Sequence, residues 1–333
     1  MPSAISSIFR ASTRRQEDRL NILTYSTHER YQSNLANCNA NFYLISTQSS
    51  ITWNRSYCEP PTNHLFIKGE LPPDIDFDLI LSQNKPAHFP TSHQLSRQLH
   101  LPICCLEHCT VIPGSPPSYI QQMKSMRGHT NVFISEFSRK EWGWGENEAD
   151  VVHHGINSDL FSPGAPPSQR TPHLLSVVND WVNRDRECGF TLWRASTEGL
   201  PVKVYGKTPG LSEPAPSPEA LAEGYRTSRV FLNTSLVSPI PTALLEGMAC
   251  GCACVSTATA MIPEIIEHGV NGLLANTPEE IRGACQLLLE NNDLADRLGE
   301  AARRTIVERF SLDAFVKNWD RIFQKTAAIP YLG

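Results

Sequence analysis

The segment 238–251 combines residue types that can hold a phosphate and a sugar. It reads Ser-Pro-Ile-Pro-Thr-Ala-Leu-Leu-Glu-Gly-Met-Ala-Cys-Gly. Pro241 suits the first turn of a helix, and Gly251 suits the residue that ends one. Free backbone N–H groups near Thr242, together with the helix dipole, would form an anion site. Glu246, one turn further in, could accept hydrogen bonds from sugar hydroxyls. The segment therefore fits a nucleotide diphosphate, and it fits equally an ordinary core helix with a solvent-facing Glu.

The elements that would position this segment alternate between apolar strands and helices. In the first half, strands are predicted at 21–26, 41–46, 78–82, 101–106, 131–135 and 150–153, with helices at 91–99 and 138–142. In the second half, strands are predicted at 173–178, 202–205, 230–233 and 252–256, with helices at 188–196, 217–228, 242–250, 262–268, 279–291, 294–310 and 312–324. Such alternation is typical of parallel, doubly wound sheets. The fold class is therefore predicted to be α/β, with two Rossmann-like lobes facing across a cleft, where ligands bind.

Composition sets the domain boundaries and excludes several classes of protein. A Pro-rich segment at 163–172 suits a linker, between lobes predicted at 21–162 and 173–310. Residues 1–20 contain arginines but lack the apolar core of a signal peptide, so a flexible arm is expected there. With 29 basic and 34 acidic residues, the charge of −5 announces no nucleic-acid partner. No apolar run is long enough to span a bilayer, so a soluble cytoplasmic protein is expected.

No metal site is expected from the cysteines or the aspartates. Ten cysteines without a secretion signal favour reduced thiols. Cys250, Cys252 and Cys254 lack the C-x-x-C spacing of a zinc site and are interpreted as small hydrophobes. The aspartates within 74–78 are interpreted as a solvated strand start rather than a divalent-metal site. The G-x-G-x-x-G, P-loop and H-E-x-x-H motifs are also missing, which argues against a standard dehydrogenase or P-loop enzyme.

Taken with its neighbours, segment 238–251 resembles the donor lobe of family 4 retaining glycosyltransferases, which have the GT-B fold. The residues that carry the resemblance are Glu246, Met248-Ala249-Cys250-Gly251, Ile262-Pro263-Glu264-Ile265, Asn271-Gly272, His154-Gly155-Ile156-Asn157 and Phe310-Ser311-Leu312. The resemblance covers about 100–325. It implies an acceptor-side first lobe, a nucleotide-sugar donor lobe at 173–310, and a terminal helix at 311–333 that crosses back to the first lobe.

The resemblance also implies roles for individual residues of the donor lobe. Glu246 would hold the nucleotide ribose. Arg184, with Lys207 or Arg186, would hold the diphosphate. The remaining donor-binding positions would be Ile240, Pro241, Thr242 and Ala243. Two positions depart from the family pattern: its first acidic residue is here Ser238, assigned to the catalytic site as a neutral hydrogen-bonding partner, and its diphosphate-binding lysine is here Cys188.

In the first lobe, the resemblance places a histidine near the transferred sugar, and His108 matches it after the strand predicted at 101–106. His108 is thus assigned to the catalytic site with Arg184, Ser238 and Glu246. The loop after the first strand, Thr27-His28-Glu29-Arg30-Tyr31, carries charged and aromatic side chains where family members often have glycines. It is therefore assigned to the acceptor side, and Glu29 is a candidate general base.

The resemblance thus implies a retaining, metal-independent hexosyl or pentosyl transferase that uses a UDP- or GDP-linked sugar and needs no cofactor. Loop residues such as Asn233-Thr234-Ser235 further resemble glycosyltransferases of tailed bacteriophages. That resemblance implies a 5-hydroxymethylated pyrimidine in double-stranded DNA as acceptor, with the protein in the host cytoplasm. A glycan or small-molecule acceptor is the alternative. An inactive nucleotide-sugar-binding protein is the alternative from another class.

Overall fold

The computed structural model describes residues 4–15, 17–45, 53–55, 58–238 and 240–331. The strands are β1 Leu20–Tyr25, β2 Ala40–Ile45, β3 His64–Ile67, β4 Leu79–Ser82, β5 Ile103–Glu107, β6 Thr130–Phe133, β7 Asp150–Val151, β8 Thr171–Val177, β9 Val202–Tyr205, β10 Ser228–Asn233, β11 Ala253–Ser256 and β12 Leu273–Leu274. The helices are α1 Ala4–Thr13, α2 Glu29–Leu35, α3 Lys85–Leu99, α4 Pro117–Ser125, α5 Glu136–Glu141, α6 Asp185–Cys188, α7 Phe190–Thr197, α8 Pro218–Thr227, α9 Thr242–Ala249, α10 Ile262–Ile265, α11 Pro278–Glu290, α12 Asn292–Arg309 and α13 Leu312–Ala327.

The chain divides into two compact units, each built on one parallel sheet. The first unit comprises Met1–Gly155 with Asp313–Gly333, and the second comprises Ile156–Leu312. The first sheet has the order β3-β2-β1-β4-β5-β6-β7, and the second has the order β12-β11-β10-β8-β9. Every strand pair is parallel. The predicted α/β class with two doubly wound sheets is confirmed.

The central strands are buried because helices cover both faces of each sheet. Every residue of β10 and β11 is buried. The core of the second unit includes Trp181, Trp193 and Leu232. Strand order reverses in each sheet, between β1 and β4 in the first and between β8 and β10 in the second. Such reversals open a crevice at the carboxyl ends of the strands, where α/β proteins bind ligands.

The N-terminal segment differs from the flexible arm predicted at 1–20. Ala4–Thr13 forms α1, whereas residues 1–3 and Gln16 lie outside the described part of the chain. Nη1 of Arg10 donates to the carbonyl of Phe77 at 2.9 Å, and Arg14 forms an ion pair with buried Asp78. The prediction missed the contacts of these arginines because their partners lie more than 60 residues away in sequence.

The Pro-rich segment 163–172 is not a free linker. It contains a short 3-10 helix, Pro167–Gln169, and the start of β8, and the units divide between Gly155 and Ile156 rather than at 162. Arg170 is buried, and its guanidinium donates to Ala165 O at 2.7 Å and Cys250 O at 2.9 Å. These bonds fix the segment inside the second unit, because a buried cation needs partners.

One more prediction differs in detail, and two extend beyond the described residues. The helix predicted at 188–196 is two helices, α6 and α7, separated by Gly189 with φ 65°. Ser46, the predicted end of the second strand, lies outside the described residues, as do residues 332–333 of the predicted terminal helix segment. That segment forms α13, which is grouped with the first unit from Asp313 onward.

Candidate functional site

Polar residues follow the strands of the second sheet at their carboxyl ends. Asn179 follows β8, and its Oδ1 accepts from the backbone N–H of Lys207, which follows β9, at 2.9 Å. After β10, the hydroxyl of Thr234 donates to the carbonyls of Cys188 and Gly189, each at 3.1 Å. A Cβ on Gly189 would lie 2.2 Å from Thr234 O. This close approach requires glycine and fixes the loop after β10 against the start of α7.

Helix α9 begins at the point where the strand order reverses. Pro241 is its N-cap, one residue before the first turn in which it was predicted. The carbonyl of Pro241 accepts from the N–H groups of Leu244 at 2.9 Å and Leu245 at 3.4 Å. The N–H groups of Thr242 and Ala243 have no backbone acceptor among the described residues, as expected in a first helical turn. They are available to an anion.

Glu246 lies on the buried side of α9. It is only 7% exposed. The alternative interpretation, in which Glu246 faces solvent, is therefore wrong. Oε2 of Glu246 accepts from the phenol of Tyr225, on α8, across 2.9 Å. Burial first, and the Glu246 carboxylate second, raise the pKa of Tyr225 well above its usual value. The phenol therefore stays protonated and orients the carboxylate. The sequence prediction missed Tyr225, which lies 21 residues from Glu246.

Three exposed cations lie along the same carboxyl edge: Arg184, Arg186 and Lys207. Arg184 is the N-cap residue of α6, and its Nη1 lies 3.5 Å from Asn179 O. Cys188, at the position of the family's lysine, is buried. Burial raises the pKa of its thiol, so Cys188 supplies no charge. Positive charge at this edge therefore comes from the three exposed cations.

The loop between β10 and α9 carries Ser238 and Ile240. Ser238 is half-buried, Ile240 is buried, and Pro239 between them lies outside the described residues. The loop is anchored at its start, because the N–H groups of Leu236 and Val237 both donate to Glu187 O, at 2.8 and 3.1 Å. Ser238, the start of α9 and Glu246 thus lie within the nine residues 238–246 of the second unit.

His108 belongs to a separate cluster at the carboxyl edge of the first sheet. It follows β5 and is 5% exposed. The rings of His28 and Tyr31 lie 4.1 and 4.7 Å from its ring, centroid to centroid. Burial, followed by the nearby His28, holds the pKa of His108 well below its usual value. His108 is therefore a neutral imidazole at pH 7.

The loop assigned to the acceptor side divides into exposed and internal residues. His28 and Arg30 are exposed, whereas Thr27 and Glu29 are buried. Oε1 of Glu29 accepts from the backbone N–H of Asn54 at 2.9 Å. Tyr31 is also buried, and its hydroxyl accepts from Nε1 of Trp319, on α13, at 2.9 Å. His28 and Arg30 are thus the members of the loop that can reach a ligand directly.

Of the residues considered for metal binding, Asp78 has other partners. Asp78 accepts from the backbone N–H of Asn21 at 2.7 Å and pairs with Arg14. Cys250, Cys252 and Cys254 are buried free thiols. Within the described ranges, no group of three or more His, Cys, Asp or Glu side chains is arranged to hold a metal ion. In the same ranges, no helix is long and apolar enough to cross a membrane.

One family model matches part of the second unit. Residues 214–305, which contain Tyr225 and Glu246, match the family model of glycosyl transferases group 1. An N-acetyl-alpha-D-glucosaminyl L-malate synthase from Bacillus anthracis is 33% identical over 105 residues, which are 31% of this chain and 28% of that protein. The chain spans between 26% and 48% of the length of the curated relatives it matches.

Solved structures match almost the whole chain. Anabaena HepE in complex with UDP has a TM-score of 0.73 at 13% identity, over 92% of this chain and 100% of that one. The same protein in complex with UDP-glucose has a TM-score of 0.68 over the same shares. A sucrose-phosphate synthase from Thermosynechococcus elongatus has a TM-score of 0.72 at 15% identity, over 92% and 99%. The chain therefore has the GT-B glycosyltransferase fold, and its second unit contains a segment similar to glycosyl transferases group 1.

Proposed function

We propose that this protein is a retaining glycosyltransferase whose second unit binds a nucleotide-diphosphate sugar at the carboxyl edge of its sheet. One observation carries the proposal: a buried carboxylate, Glu246, is held by Tyr225 one turn inside a helix whose first N–H groups are available. A carboxylate of this kind can accept two hydroxyls of a ribose. The adjacent helix start attracts the phosphates. The match of residues 214–305 supports the same assignment.

The diphosphate leaving group would be stabilised by the exposed cations and by α9. Cleavage of a sugar–phosphate bond places negative charge on the diphosphate and positive character on the sugar. Arg184 and Lys207 supply mobile positive charge, and the N–H groups of Thr242 and Ala243 supply fixed dipoles. We propose that this set makes a divalent metal unnecessary. Ser238 would contact the sugar through its hydroxyl group.

The donor and acceptor are proposed by class. HepE binds UDP-glucose, so a UDP-linked hexose is the first donor to test, with GDP-linked sugars as the second. The acceptor is a hydroxyl group. The phage resemblance extends this proposal to 5-hydroxymethylated pyrimidines in DNA within a host cytoplasm. A glycan or small alcohol is the competing acceptor.

The experiment combines the full chain with labelled UDP-glucose or GDP-mannose and with hydroxymethylated DNA, plain DNA or oligosaccharides, with and without a metal chelator. Label transfer that persists with chelator, and a product whose anomeric configuration by NMR matches the donor, are expected. Transfer to oligosaccharides alone would overturn the DNA acceptor. Tight nucleotide binding without transfer or hydrolysis would overturn the enzyme proposal in favour of a binding protein.

A further inference from the structure

A continuous chain of hydrogen-bonded side chains crosses the interior of the first unit and ends at His108. It runs from Asn63 through His64, Gln32 and Gln83. His64 Nδ1 lies 3.1 Å from Asn63 Oδ1, and Gln32 Nε2 lies 3.1 Å from His64 Nε2. Gln83 Nε2 donates to Gln32 Oε1, and His108 Nε2 lies 3.2 Å from Gln83 Oε1. His64, Gln32, Gln83 and His108 are buried, so each contact needs a donor and an acceptor.

The Asn63 end fixes the direction of the chain. Both amide hydrogens of Asn63 are used, because Nδ2 donates to Ala36 O at 2.9 Å and Ala40 O at 3.0 Å. Asn63 Oδ1 must therefore accept from Nδ1 of His64. Burial lowers the pKa of His64 to about 4, so the ring carries one proton at pH 7. Its Nε2 is then an acceptor, and Gln32 must donate to it.

The Gln83 end fixes the same direction independently. The hydroxyl of Thr24 donates to Leu81 O at 3.0 Å, so its oxygen accepts from Nε2 of Gln83 at 3.1 Å. The second hydrogen of that nitrogen is taken by Gln32 Oε1. Gln83 Oε1 is then the atom that faces His108, and only an N–H can satisfy it. Reversing the amide of Gln83 would place its oxygen against the oxygen of Thr24, whose hydrogen is already committed.

We propose that this chain locks His108 in the tautomer with its proton on Nε2, so that Nδ1 presents a lone pair to a hydroxyl group of the bound ligand. His108 Nδ1 makes no hydrogen bond to any residue in the described ranges. The rings of His28 and Tyr31 flank it. That the hydroxyl group belongs to a sugar or an acceptor rests on the proposed function. The assignment of the tautomer is independent of that function. Gln83 and Gln32 are positioning residues for His108.

The tautomer can be measured directly by long-range ¹H–¹⁵N correlation on the full chain labelled with [¹⁵N]histidine. The signals of His108 are assigned by their loss in His108→Gln. The proposal predicts a protonated Nε2 and an unprotonated Nδ1 near neutral pH. A His108 ring with its proton on Nδ1 in the wild-type protein would overturn it. The measurement is made on the wild-type protein, so it requires neither a folded Gln83 variant nor an activity assay.

Two variants separate the acceptor oxygen of Gln83 from its bulk. Gln83→Met removes the oxygen and should release the tautomer. Gln83→Glu keeps an acceptor for His108 and should keep Nε2 protonated, although it loses the N–H donors to Thr24 and Gln32. Gln94→Met, on the exposed side of α3, is the matched control. With UDP-glucose hydrolysis as the activity, Gln83→Met should lower kcat/KM about tenfold, the loss of roughly one hydrogen bond, and Gln83→Glu should lose less. An unchanged tautomer in folded Gln83→Met contradicts the positioning role. Glu246→Ala separates the tautomer from the proposed donor site. It should abolish hydrolysis and leave the His108 spectra unchanged, and a changed tautomer in this variant would contradict control by Gln83.

Discussion

The phenol oxygen of Tyr225 lies 2.9 Å from Oε2 of Glu246 and 3.1 Å from the carbonyl oxygen of Ala243. All three atoms belong to α8 and α9, which pack together over β10. Tyr225 is fully buried, so the phenol has little freedom to leave. The contact ties the rotamer of Glu246 to the first turn of α9. Ribose and phosphate contacts are therefore expected to be coupled.

Removing that hydroxyl should weaken donor binding without abolishing it. In Tyr225→Phe, we expect the Kd for UDP to rise about three- to tenfold, because one net hydrogen bond contributes roughly 0.5–1.5 kcal/mol. Isothermal titration calorimetry measures it. Tyr119→Phe is the control, since Tyr119 is partly exposed on α4 of the other unit. If Tyr225→Phe and Glu246→Gln have additive effects on binding, the coupling is wrong.

The exposed cations should act on the diphosphate through charge. We expect Arg184→Ala and Lys207→Ala each to raise KM for UDP-glucose about tenfold and to reduce its dependence on salt, because ionic contacts are screened. Arg304→Ala is the control, since Arg304 pairs with Glu300 on the exposed face of α12. Equal effects of all three substitutions would point to overall charge rather than to a diphosphate site.

Tyr31 should contribute to stability rather than to direct acceptor contact. Its hydroxyl accepts from Trp319 Nε1 at 2.9 Å, and its ring packs edge-on against Phe315. Tyr31→Phe leaves a buried indole N–H without an acceptor, which costs about 1–3 kcal/mol. A lower Tm in thermal unfolding is expected, with KM for acceptor nearly unchanged. An unchanged Tm with a raised acceptor KM would restore the predicted ligand-binding role.

Buried histidines of the first unit should make it sensitive to acid. Burial lowers the pKa of His64 and His88 to about 4 and of His154 to about 3. In the unfolded chain these rings bind protons near pH 6.5. Between about pH 6.5 and 4 the unfolded state holds more protons, so the free energy of unfolding falls as pH falls. Denaturant unfolding followed across this range measures it. His154→Asn should flatten the slope, whereas exposed His93→Gln should not; a slope unaffected by His154→Asn would contradict the assignment.

Much of the architecture could be predicted because it depends on local patterns. The strand predicted at 202–205 coincides with β9, and the helix predicted to start at Thr242 does so. Alternation of apolar strands with amphipathic helices encodes both sheets. The first turn of α9 and the position of Glu246 follow from helix geometry alone.

Features that depend on partners distant in sequence were missed. Edge strand β3 was not predicted because its apolar run, residues 65–67, is only three residues long and lies between a Pro-Pro pair and a Lys-Gly pair. The Tyr225–Glu246 bond joins two helices, and no spacing rule marks it. The same holds for Gln32 and Gln83, which are 51 residues apart. Arg10 and Arg14 likewise find their partners, Phe77 and Asp78, only in the folded unit.

Binding of UDP-glucose to the wild-type protein and to Glu246→Ala, measured by isothermal titration calorimetry, tests the central claim most directly. Exposed Glu290→Ala, at the end of α11, is the matched control. Hydrogen bonds to a charged group are each worth about 1.5–3 kcal/mol, so Glu246→Ala should weaken binding roughly ten- to hundredfold while Glu290→Ala binds as the wild type does. Equal affinity of Glu246→Ala and the wild type would contradict a nucleotide-sugar site at α9.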